Sequence, residues 1–150
     1  MIAAKADTAD FVIVDTAGFG NRAATVAMTS ADAVLVPSLA GEADVTEAEK
    51  TVRLVEALAR AARREIPVRV VFNRVRKTTL ARHAAAELAS TGVERMTVFL
   101  SDLVAYGEMT YSGRVPNAEP ARSEVMGFLA ELRSLGWLPA VSSARSVEHT

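Results

Sequence analysis

The sequence predicts an α/β fold: a mostly parallel sheet with helices on both faces. Two observations carry this. Short apolar runs rich in β-branched residues alternate with longer amphipathic segments, as repeated βα units require. Several of the runs also end in a polar residue, as strands do at the carboxyl edge of an open sheet, where such folds place their ligands. At 150 residues the chain has one domain's length and enough material for a core. Residues 11–138 are read as that domain, 1–10 as a leftover or disordered segment, and 139–150 as a flexible polar tail.

The elements follow in order. Phe11-Val12-Ile13-Val14 is the first expected strand, and it runs straight into Asp15. A short helix is expected over 21–30, with Asn21 as a candidate cap. Ala33 to Pro37 forms a buried strand closed by proline, which has no N–H for the ladder. Thr46 and Glu49 have the spacing of a capping box, and Val52, Val55, Leu58 and Ala62 continue at helical spacing. Val68 to Phe72 is the next strand and delivers Asn73 to the sheet edge. Leu80, Ala84 and Leu88 mark a helix that starts near Thr78 or Thr79 and stops at Gly92. Met96 to Leu100 is a fourth strand, and 101–117 a long loop or short broken helix. Pro120 opens the last helix, Gly136 ends it, and Trp137 and Leu138 fold back onto the body.

Composition narrows the function. Half of the residues are hydrophobic, 23% are charged and the net charge is -1, so global charge selects neither nucleic acid nor acidic membrane. The chain has no cysteine, which excludes disulfides and thiolate metal sites and suits a reducing, cytoplasmic setting. No apolar run reaches the roughly 18–20 residues of a membrane span, so no membrane partner is expected. His83 and His149 are too far apart in the pattern to suggest a metal cluster. The methionines read as core or loop filler.

Three groups of residues carry chemistry. Asp15 puts a hard oxygen at a strand end, which suits Mg²⁺ on nucleotide phosphates through a water molecule; a turn or cap aspartate is the alternative. Asn73 offers a donor and an acceptor at the same edge, which matches an adenine ring; a turn residue is the alternative. Between positions 60 and 82 stand Arg60, Arg63, Arg64, Arg69, Arg74, Arg76, Lys77 and Arg82, against Glu65 alone. Arg74, Arg76, Lys77 and Arg82 could form a phosphate-contacting patch for non-specific DNA, or a solvated face whose strand residues point to opposite sides. No G-x-x-x-x-G-K-[ST] phosphate loop occurs in the 150 residues.

These residues, in their order and spacing, resemble the ParA/MinD family of deviant P-loop ATPases over roughly residues 10–138. Phe11 to Gly18 is similar to the family's Walker B strand. Ala31-Asp-Ala-Val-Leu-Val-Pro37 is similar to its next strand, and Val70-Val-Phe-Asn-Arg-Val75 to its base-binding strand. The loop from Leu100 to Pro116, with Glu108 and Ser112-Gly113-Arg114, is similar to the segment that helps enclose the adenine. Ser101 and Asp102 stand where the family often has Pro and Arg.

The resemblance implies a partial P-loop NTPase fold of the SIMIBI type. It implies ATP and Mg²⁺ as cofactors, Asp15 organising Mg²⁺, Gly18 facing the γ-phosphate, and Asn73 and Arg74 at the base. It further implies a nucleotide-dependent homodimer, non-specific DNA, and a partition-type partner protein, in the positioning of plasmids, chromosomes or other cargo. The family's Walker A loop, with its catalytic and phosphate-binding residues, has no counterpart here. Catalytic residues are therefore assigned to none of these positions, and no ATP hydrolysis is expected from this chain alone. The alternative is a non-catalytic partner-binding or dimerisation protein derived from such an ATPase.

Overall fold

The computed structural model describes residues 9, 11–16, 22–76 and 78–139. Its centre is a parallel pair of strands, β1 (Val34–Ser38) and β2 (Val68–Phe72), in the register Val34 to Val68 through Ser38 to Phe72. A short helix, α1 (Arg22–Ser30), precedes β1, and α2 (Glu42–Ala62) makes the crossover to β2. Then come α3 (Thr78–Ser90), α4 (Val104–Ser112) and α5 (Ala121–Ser134). No described helix is long and apolar enough to cross a membrane.

Strand alternation assigns the two faces. Val36, Val70 and Phe72 join Val45, Ala48 and Val52 of α2 and Ala81, Ala84 and Leu88 of α3 in the larger core cluster. Val71, with Leu35 beside it, points the other way, to Met96 and to Phe128 and Leu132 of α5. Trp137 and Leu138 fold back onto this second cluster, as expected. The fold is thus α/β, parallel, with helices on both faces.

The structure corrects three expectations. Residues 11–16 form no strand; Phe11, Ile13 and Val14 are exposed, Ile13 at 81%. A strand is stable only with partners to complete its hydrogen bonds, and none of the described strands pairs with this segment. The capping box fails too. Helix α2 begins at Glu42 behind Gly41, which makes no side-chain cap. Thr46 lies a turn inside, and its hydroxyl donates back to the Glu42 carbonyl at 3.0 Å. Acidic Glu42 and Asp44 in the first turn instead complement the helix dipole.

The third correction concerns 96–100, which is not a continuous strand. It touches β2 through isolated parallel bridges, Val70 to Arg95 and Val75 to Ser101. Met96 N–H donates to the Val70 carbonyl at 2.7 Å, and Leu100 N–H to the Phe72 carbonyl at 2.9 Å. Four steps along this segment therefore match two along β2, and the residues between bulge out. Glu131 of α5 receives them: its carboxylate accepts the N–H of Thr97 at 2.7 Å and of Val98 at 2.9 Å. Seven residues earlier, Glu124 accepts the Ser101 N–H at 2.9 Å, the Ser101 hydroxyl at 2.6 Å and the Tyr106 hydroxyl at 2.8 Å. Two carboxylates of one helix thus grip the segment at two points.

Candidate functional site at the carboxyl edge of the sheet

Strands β1 and β2 end side by side, because the Asn73 N–H donates to the Ser38 carbonyl at 2.8 Å. Beyond them opens a concavity of about 460 Å³. Val36, Pro37, Leu39 and Ala48 give it an apolar floor, and Asp44, Glu47, Thr51 and Asn73 supply polar groups. The first three turns of α2 form its wall. The size falls within the range of small-molecule sites, and the site sits where open parallel sheets place ligands.

Asn73 does two things at once. Its Oδ1 accepts the Arg74 N–H at 2.9 Å, the turn role weighed for it, with Arg74 left-handed at φ 53°. It also lines the concavity, as a base-reading residue would. Glu47 is ion-paired to Lys50 at 2.6 Å. Two carboxylates on the wall make the concavity a poor host for phosphate and a good one for a ligand that presents N–H donors. Sequence reasoning missed Asp44 and Glu47; the signal was their spacing on the helix that follows β1.

Arg74 and Arg76 meet at Asp102. Arg76 Nε lies 2.6 Å from one Asp102 oxygen and Arg74 Nε 3.4 Å from the other. The hydrogen bond from Arg76 leads in lowering the Asp102 pKa below the ordinary carboxylate range, Arg74 adds to it, and desolvation opposes both. The residue that departed from the family pattern therefore organises two arginines. Arg82 is not part of that cluster: it reaches Thr79 Oγ1 at 3.5 Å and lines a separate depression.

The remaining basic residues lie elsewhere. Arg60, Arg63 and Arg64 stand at the carboxyl end of α2, the opposite end of the sheet from Asn73. Arg64 donates to the Thr29 carbonyl at 2.8 Å and pairs with Asp32 at 3.2 Å; Arg69 pairs with Glu94 at 2.9 Å. The seven described ones do not share one surface. Lys77 and Gly18 lie outside the described residues, as do Asn21 and His149.

Asp15 is exposed and does not line the concavity. Among the described residues, no three His, Asp or Glu side chains gather as a metal site. One exposed carboxylate does not by itself hold Mg²⁺, which needs six oxygens and takes most of them from water and phosphate. The described geometry thus brings Asn73 to the sheet edge and to the concavity, which Asp15 does not line.

No curated protein and no solved structure matches the chain. The VirC1 protein family matches residues 3–113, a span that includes both strands, the concavity and the Asn73–Arg76 turn. The chain belongs to the VirC1 protein family, a ParA-like kind of partitioning protein.

Proposed function

We propose that this chain is the base-binding and partner-binding portion of a ParA-like partitioning ATPase. The observation that carries the reading is Asn73, placed at the paired ends of two parallel strands and lining a ligand-sized concavity. The concavity takes the adenine: Asn73 reads the ring edge, and the carboxylates of Asp44 and Glu47 favour its exocyclic amine. The phosphates lie away from those carboxylates, and Mg²⁺ arrives bound to them, with Asp15 as the carboxylate that organises it. Without a phosphate loop in these 150 residues, the chain alone binds the base and does not hydrolyse ATP.

The Arg74–Arg76 pair, held by Asp102, supports contact with DNA phosphates, and a second copy of the chain would double that surface by avidity. The setting is the cytoplasm, and the reaction served is DNA positioning with a partition-type partner.

The test is equilibrium binding of adenosine, AMP and ATP to the full chain. Adenosine and ATP should bind with similar affinity, because phosphate adds nothing here. Asn73→Ala should weaken both by about 2–10-fold, the worth of one neutral hydrogen bond. Failure of adenosine to bind at millimolar concentration, or indifference to Asn73→Ala, rejects the base site.

A further inference from the structure

The bulge at 97–98 has a counterpart on the opposite face. While the Thr97 and Val98 N–H groups bond to Glu131 of α5, a depression of about 290 Å³ lies between this segment, Thr97 included, and α3. Phe72 and Phe99 wall it together with Ala81 and Ala85, and Arg82 and Arg95 stand at its sides. Among the described residues no carboxylate lines it. Neither arginine has a carboxylate partner among the described residues. Arg95 is also held in place: its Nη1 donates to the Met96 carbonyl at 2.7 Å, which leaves its other N–H groups free.

We propose that this depression is a binding site for a small organic anion, a carboxylate or phosphate monoester on an apolar, planar body. The apolar body fills the space between Phe72, Phe99 and the alanines. The anionic head bridges Arg82 and Arg95, where charge-assisted hydrogen bonds replace the ion pairs these residues lack. The volume sits at the small end of ligand pockets. The site is separate from the concavity that Asn73 lines and does not depend on the nucleotide reading.

Naphthoate, naphthyl phosphate and neutral naphthylmethanol, titrated into the isotope-labelled full chain and followed by amide chemical shifts, test this. At least one of the two anions should bind, with shifts centred on Phe72, Ala81 to Ala85 and Arg95 to Phe99. The stronger of the two identifies the head group. Naphthylmethanol should bind at least about tenfold more weakly, the loss of one charged hydrogen bond. Arg82→Gln, an exposed helix position, should weaken the anion by a similar factor, and adding Arg95→Gln should abolish binding. Equal binding of the neutral compound, unchanged affinity in Arg82→Gln, or no binding of either anion at millimolar concentration overturns the proposal.

Discussion

Glu131→Gln is the most direct test of how the third segment is held. The wild-type carboxylate accepts two backbone N–H groups, one per oxygen, at 2.7 and 2.9 Å. Glutamine keeps one oxygen, which goes to the half-buried Val98 N–H, and turns an NH₂ toward Thr97. A hydrogen bond to a charged group contributes about 1.5–3 kcal/mol. Thr97 is exposed, so water replaces its lost partner and holds the loss to the lower part of that range. The surviving bond also becomes neutral. The expected destabilisation is about 1.5–2.5 kcal/mol in urea unfolding at neutral pH.

The pH dependence carries a second readout. Burial pushes the Glu131 pKa up, but the N–H bonds from Thr97 and Val98, with Arg69 nearby, outweigh it and leave the value below the ordinary 4.5. Stability from a depressed carboxylate is present above the unfolded pKa and lost as pH falls through the folded one. Wild-type stability should therefore drop below about pH 4.5, and part of that drop should vanish in Glu131→Gln. A loss under about 0.5 kcal/mol, or an unaltered acid profile, would refute the clamp.

Tyr106 behaves in the opposite sense: burial first, then Glu124, raises its hydroxyl pKa well above the ordinary 10.0. Its contribution is complete below that value and lost as pH rises, so wild-type stability should fall in alkaline solution more than that of Tyr106→Phe, measured by thermal melts. Asp102→Asn releases Arg74 and Arg76 and should tighten duplex DNA binding while steepening its salt slope by about one phosphate contact; a flat salt slope in titrations argues against DNA at this turn. Leu88→Ala empties a fully buried position and should cost about 2–5 kcal/mol, seen as a lower urea midpoint; a change under about 1 kcal/mol would mean the α3 face is loosely packed.

Local pattern made β1 and β2 legible, since each is a short β-branched run with a breaker or polar residue behind it. The stops at Gly92 and Gly136 were legible for the same reason: both take a positive φ, 74° and 72°, that other residues resist. The start of α2 was not, because Gly41 offers no capping side chain and Thr46 imitates a cap from inside the helix. The bulge at 97–98 depends on a carboxylate more than thirty positions downstream, beyond any local window. For the site, Asn73 at a strand end was readable from its neighbours. The meeting of Arg74 and Arg76 at Asp102 was not, since it closes a loop of 26 residues. The first apolar run had strand composition but has no pairing partner among the described residues, and composition alone cannot supply one.

The two grips of α5 on the neighbouring segment also set a length standard. Glu124 and Glu131 are seven residues apart, close to two helical turns, or about 10.5 Å along the axis. Both carboxylates therefore leave the helix on nearly the same side, at a separation the backbone fixes. Inserting or deleting one residue between them would swing one carboxylate by about 100°, off the face that meets the sheet. The segment would then be anchored at one end only. Side chains between the two glutamates can vary within packing limits, but the number of residues between them cannot. This gives a stretch that looks like ordinary amphipathic helix a fixed count to keep.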